Sequence, residues 1–197
     1  MTLVTAGIDE VGRGCLAGPV VAACVVFRAD AIPGLADSKT ISDSVRRTLS
    51  EQIHLEAWIS IAQASIEEIT KLNILHATML AMRRAHEGLP DKAKHQIVLV
   101  DGNRIPTGLS AKAEAVVKGD SKIPEIAAAS IIAKVFRDDL MIRLHEEHPG
   151  YGWDKNKGYG SPMHLRGLET SGVTVHHRPT FAPVAKALAL QADQRPA

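Results

Sequence analysis

Asp9 and Glu10 stand side by side at the end of a short apolar run, Leu3 to Ile8, and lead directly into Val11-Gly12-Arg13-Gly14. Adjacent carboxylates next to a buried strand repel each other and lose hydration unless a cation or a basic group claims them. The glycines leave the backbone open to close approach by a phosphate. Together these features point to metal-assisted phosphodiester chemistry. Two more acids take comparable places, Asp101 where Ile97 to Val100 ends in Asp101-Gly102-Asn103, and Asp120 where Ala113 to Val117 ends in Lys118-Gly119-Asp120. Four carboxylates make a hard oxygen site suited to magnesium or manganese, whereas zinc would call for His or Cys. Each acid alone has a plainer reading, as a turn, a helix N-cap or a solvated strand end. The weight lies in the joint pattern.

To bring these residues together, the chain must form a sheet. Strands are expected at Leu3 to Ile8, Pro19 to Phe27, Trp58 to Ala64, Ile97 to Val100 and Ala113 to Val117. Ser42 is placed to cap a helix over Asp43 to His54. Ile69, Leu72, Leu75, Met79 and Met82 give Ile66 to His86 helical spacing. A long helix is expected from about Ser121 to His148 with Pro124 in its first turn, and a short one between Ser161-Pro162 and Gly172. Three strands followed by alternating helix and strand predict an α/β sheet, antiparallel at first and parallel thereafter. Asp9, Asp101 and Asp120 then meet beyond the carboxyl ends of the strands. Neighbours on a strand face opposite sides, so convergence of Asp9 and Glu10 is expected to need a bend at Val11-Gly12.

The 197 residues, 45% hydrophobic and 23% charged, fit one globular catalytic domain over 1–197, with a frayed tail from Gln191. A net charge of +1 means that any affinity for nucleic acid must come from local basic clusters. Cys15 and Cys24 sit in apolar sequence and read as reduced, packed thiols. No leader or membrane span is evident, so cytoplasmic residence is expected. His145-Glu146-Glu147-His148 is one residue short of a zinc-protease helix and reads as a polar helix end. His176-His177-Arg178 fits either a nucleic-acid contact or an ordinary exposed loop, and nothing in the residues separates the two.

Gly7-Ile8-Asp9-Glu10-Val11-Gly12-Arg13-Gly14, followed by Gly18-Pro19-Val20-Val21, strongly resembles the opening motif of the ribonuclease HII (type 2 ribonuclease H) family. Further blocks agree in order and spacing: Asp37-Ser38-Lys39, Val100 to Asn103, Val117 to Asp120, Ile126 to Val135 with Arg137-Asp138, and Lys157-Gly158-Tyr159-Gly160. The resemblance runs from about Gly7 to Pro183. It implies a ribonuclease H-like fold, a mixed five-stranded sheet flanked by helices with a helical C-terminal part. The extra N-terminal domain of the related ribonuclease HIII and a clamp-binding C-terminal motif are not expected.

By that resemblance the activity is endonucleolytic cleavage of the RNA strand of RNA–DNA hybrids and at single ribonucleotides in duplex DNA. Asp9, Glu10, Asp101 and Asp120 match the family's catalytic, metal-binding acids, which implies two Mn2+ or Mg2+ ions and 3′-hydroxyl and 5′-phosphate products. Gly12, Arg13 and Gly14 match its reader of the 2′-hydroxyl, and Tyr159 its tyrosine at the RNA-to-DNA junction. Lys39 lies in a matching block and, with Lys118, Lys122, Lys155, Lys157 and Arg166, is expected along the duplex path. A monomer without membrane association is expected. A small-molecule phosphatase or phosphotransferase would more often show an Asp-x-Asp nucleophile or a phosphate-cradling loop. A silent hybrid-binding module would gain nothing from acids gathered beside phosphates.

Overall fold

The computed structural model describes residues 3–35 and 41–193. Five strands, β1 (Thr5–Val11), β2 (Val20–Phe27), β3 (Ala57–Ala64), β4 (Ile97–Asp101) and β5 (Lys112–Val116), form one sheet in the order β3-β2-β1-β4-β5. The β3-β2-β1 half is antiparallel and the β1-β4-β5 half parallel, as the order of elements predicts. The helices are α1 (Asp43–Glu56), α2 (Ile66–Glu87), α3 (Pro124–Glu147), α4 (Trp153–Asn156), α5 (Pro162–Thr170) and α6 (Ala182–Asp193).

The period of two along the strands assigns the faces. Ala6, Ile8, Val20, Ala22, Cys24 and Val26 pack beneath α2, while Val21, Ala23 and Val25 pack beneath α1 and α3. The second strand is buried along its whole length, as its apolar run requires. At Gly7 an added Cβ would lie 2.2 Å from the Glu125 backbone, so α3 touches β1 directly. From there helix and strand run together. Five residues of helix and two of strand each advance roughly 7 Å, which brings Ser130 level with Asp9. Twelve residues of helix and five of strand each advance roughly 17 Å, and Arg137 meets Gly12. A third cluster, including Leu16, Ala17, Met141, Tyr151, Trp153, Leu168 and Val184, seats the C-terminal helices on the segment between β1 and β2.

Several boundaries differ from expectation. β1 continues through Val11, paired with β2 as far as Val11↔Val21, so Asp9 and Glu10 lie inside the strand. β5 stops at Val116, and Asp120 falls in a one-turn 3-10 helix, Gly119–Ser121, ahead of α3. α2 is broken at Asn73 (φ 64°, ψ 166°), whose side-chain oxygen accepts from the Leu75 and His76 amides and caps a second helical segment. Of the apolar residues spaced across this break, Ile69 and Met82 are buried while Leu72, next to Asn73, is 40% exposed. Helix α6 ends at Asp193. Among the described residues, no helix is long and apolar enough to cross a membrane.

Candidate active site

Asp9, on β1, is 4% exposed, and one carboxylate oxygen each from Asp9, Glu10 and Asp101 lie within 4.8 Å of one another. The acids meet without a bend between them. Glu10 shares the α2 face with Ile8, and Asp9 shares the α3 face with Gly7, as alternation demands. The β1–β4 pairs end at Ile8↔Val100, so on the β4 side of β1 the two acids lie beyond the last ladder pair, where side chains from both faces can meet. The bend comes later, at Gly12 (φ 94°), and serves a different purpose.

Asp101 is held from below, its Oδ1 accepting from the Gly119 amide at 2.7 Å and the Asp120 amide at 3.4 Å. Asp9 Oδ1 accepts from the Glu10 amide at 2.7 Å, and the Ser130 side chain also hydrogen-bonds to Asp9. The Asp120 carboxylate stands outside the 4.8 Å group, 8% exposed on the adjoining turn. Burial, then the negative charges of Glu10 and Asp101, hold the Asp9 carboxyl well above the usual range. Burial also raises Glu10, against the pull of Arg13 at 3.4 Å. Crowded anionic oxygens whose charge is this costly fit a hard divalent cation, and they release protons to take one up, so affinity should rise with pH. The cleft beside them is lined by Glu10, Arg13, Leu75, Met79, Asp101 and Arg104. The Asn73-capped segment of α2 thus borders it with its N-terminus, the helix end that favours anions.

Two guanidinium groups that the sequence left without a role shape the loop after β1. Arg137 and Arg178 are both 0% exposed, and their hydrogen bonds go to carbonyls. Arg137 donates to Ala17, Pro19 and Lys157, and Arg178 to Gly12 (2.7 Å), Arg13 (2.9 Å) and Gly18 (2.9 Å). A trans peptide points its C=O and N–H in opposite directions. With the Gly12 and Arg13 carbonyls turned inward to Arg178, the amides of Arg13 and Gly14 face outward on exposed residues. Tyr159, 47% exposed, flanks this loop, its ring 3.7 Å from where a Cβ on Gly14 would stand. Cys15 is fully buried beside it, and burial raises its thiol, in keeping with a packing role.

The Tyr159 backbone is set by a histidine pair. His164 Nδ1 donates to the Tyr159 carbonyl at 2.9 Å, and its Nε2 accepts from Trp153 Nε1 at 3.1 Å. His177 Nδ1 accepts from the Thr174 amide at 3.0 Å, which leaves its Nε2–H to donate to His164 Nε2 at 3.1 Å. This network fixes both tautomers and needs both rings neutral. Burial, then the neighbouring His164, lowers His177 from 6.5 to about 4, and burial lowers His164. Stability from the neutral rings is therefore fully present above about pH 6.5 and lost as pH falls toward 4. In an NMR titration the His177 ring should stay neutral down to about pH 4. A midpoint near the free-imidazole value would dissolve the network. Of the segment 176–178, which the sequence left open between a nucleic-acid contact and an exposed loop, His177 is 2% and Arg178 0% exposed, so these two belong to the interior.

Of the other predicted residues, Lys39 lies outside the described residues. Lys122 Nζ donates to the Val117 carbonyl at 2.6 Å and Lys157 Nζ to the Asp154 carbonyl, so both ammonium groups are engaged with main chain. Ser130, Arg137, His164 and Arg178 are the contributors that sequence reasoning left unassigned. For the arginines the only signal was their setting, Arg137 within a matching block and Arg178 beside two histidines.

The family model described as Ribonuclease HII matches residues 6–184. The Ribonuclease HII of Neisseria meningitidis serogroup B is 53% identical over 195 residues, covering 98% of this chain and 99% of that one. Among solved structures, ribonuclease H2 from Pyrococcus horikoshii superposes with a TM-score of 0.82 at 25% identity, covering 98% of this chain and 100% of that one. The PCNA:RNase HII complex from Archaeoglobus fulgidus gives 0.72 at 29% identity, covering 91% and 95%.

Proposed function

The chain belongs to the ribonuclease HII family and is a nuclease of the ribonuclease H type, and from that premise we propose that it cuts both the RNA strand of RNA–DNA hybrids and the single ribonucleotide embedded in duplex DNA. In this reading hydrolysis uses two divalent ions, Mg2+ or Mn2+, and leaves 3′-hydroxyl and 5′-phosphate ends. The observation that carries it is the joining of two devices on one strand: carboxylates suited to phosphate-bound metal, and, three residues on, main-chain amides turned outward.

Asp9, Glu10 and Asp101 would hold the ions, with Asp120 contributing from the adjoining turn. Ions held there would supply activation of a water and charge stabilisation for the leaving oxygen. Ser130 orients Asp9, and the Gly119 and Asp120 amides orient Asp101. Carboxylates and metals do not distinguish RNA from DNA, so selectivity falls to the loop. The Arg13 and Gly14 amides would donate to the 2′-hydroxyl and the adjoining phosphate, and a deoxyribose would leave a donor unpaired. The Arg13 side chain, about half exposed, can reach a phosphate once cations replace it as the partner of Glu10. Tyr159 would pack against the sugar at the RNA-to-DNA junction. Lys39 would hold a backbone phosphate, and the protein would act as a monomer.

The test is cleavage of duplex DNA carrying one ribonucleotide, with Mg2+, with Mn2+ and with chelator. One cut at the ribonucleotide, present with either metal and lost on chelation, is expected. Failure to cut that substrate while a continuous hybrid is degraded would remove the single-ribonucleotide reading. Cleavage that survives chelation would remove the metal reading.

A further inference from the structure

We propose that Glu147, His148 and His176 form a second metal site, for a borderline transition ion of the zinc class, separate from the acidic cluster. One ligand atom from each residue lies within 4.8 Å of the other two. Tetrahedral zinc, with bonds of about 2 Å, needs donors about 3.4 Å apart, a closure within reach of side-chain rotation. Two imidazoles, a carboxylate and one open position for water match a known zinc donor set, whereas the all-oxygen cluster at Asp9 favours harder ions.

The sequence alone could not show this site. His145 and His148 are three residues apart, and His145 instead faces Asp154 at 3.5 Å. The partner of His148 is supplied 28 positions later, by a segment that crosses the end of α3. The two rings lie 5.1 Å apart between centroids, and Trp153 makes edge contacts with both, at 5.8 and 6.2 Å. Among the described residues no hydrogen bond engages a ring nitrogen of His148 or His176. Nearby His164 and His177, by contrast, have every ring nitrogen committed. The free pair is only partly buried, and so open to an ion. Glu147 is the last residue of α3 and His148 its C-cap, so the negative end of the helix dipole adds to the attraction for a cation.

The site also touches the loop at the acidic cleft. The His176 carbonyl accepts from the Gly18 amide at 2.9 Å, and Arg178, two residues on, holds the Gly12 and Arg13 carbonyls. An ion bridging His148 and His176 would tie this segment to α3.

The experiment uses untagged full-length protein in excess Mg2+, titrated calorimetrically with zinc chloride. One tightly bound zinc is expected, with affinity at least tenfold weaker in His148→Phe and in His176→Ala, and unchanged in Asp101→Asn. The Phe ring keeps the packing on Trp153. Thermal unfolding without zinc, equal to the parent's, shows that each variant is folded. Because Trp153 touches both imidazoles, Cu2+ should quench its emission in the parent and not in His148→Phe, a readout independent of cleavage. Zinc uptake that persists in both folded histidine variants, or that vanishes in Asp101→Asn, overturns the proposal, as does a parent that binds none.

Discussion

Asp101→Asn should lose at least about a thousandfold in turnover, beyond the 10–100-fold typical of residues that only support a metal ligand, while remaining folded and still binding its duplex. The amide oxygen can keep accepting from Gly119 and Asp120, so the turn after β5 is retained. What disappears is one anionic donor of the three. The same substitution should leave the metal-free protein no less stable than the parent, because Asp101 is one of the charges that raise Asp9 and Glu10. With that repulsion gone, both remaining carboxyls should titrate lower. Loss of activity together with equal or greater metal-free stability marks a group kept for chemistry at a cost to the fold. Undiminished cleavage at saturating metal would remove Asp101 from the site.

Gly12→Ala should be strongly destabilising, and Gly102→Ala is its internal control. The two glycines have nearly the same φ, 94° and 95°. Both substitutions should therefore pay the strain of about 1 kcal/mol or more that an L-residue meets in this region. Beyond that they diverge. A methyl at Gly102 meets nothing within 4 Å, whereas one at Gly12 falls 2.2 Å from Arg137 Nε and 2.8 Å from Cζ. Arg137 is fully buried and held by three carbonyls, so it cannot swing aside. Overpacking of this kind adds about 1–3 kcal/mol, and displacing a satisfied buried charge adds more. A total of roughly 4 kcal/mol corresponds to a fall in thermal midpoint of about 8–16 °C for a chain of this size, against a few degrees for Gly102→Ala. Comparable melting curves for the two variants would show that Arg137 does not brace the loop. Cleavage at a single ribonucleotide should fall with Gly12→Ala, since the amides of Arg13 and Gly14 move with the bend.

The strands and their parallel and antiparallel halves were legible in the sequence, because alternation and turn residues are local signals, and of the four acids singled out there Asp9, Glu10 and Asp101 come together in the structure. Boundaries were less so. β1 outlasts its apolar run, since pairing with β2 continues under Asp9 and Glu10 whatever their polarity. Asp120 was expected on a strand end and lies on a 3-10 turn, where its amide supports Asp101. Helical spacing hid the break at Asn73, since the pattern of apolar residues is the same with or without it. The two buried arginines carried no local mark, for a guanidinium among carbonyls has the same sequence signature as one in water.

By itself, then, the order of residues determined the sheet, the acids and the glycine bend that follows them, along with the family likeness that links them to nucleic acid. Only the tertiary structure decided that β4 leaves β1 at the level where Asp9 and Glu10 can reach around its edge. It alone sets Arg137 and Arg178 behind the loop to turn its amides outward, and joins His148 to His176. The reason is physical: periodicity and turn chemistry act over a few residues, whereas these contacts join segments distant in sequence, and each depends on how α3 and the C-terminal helices pack against the sheet.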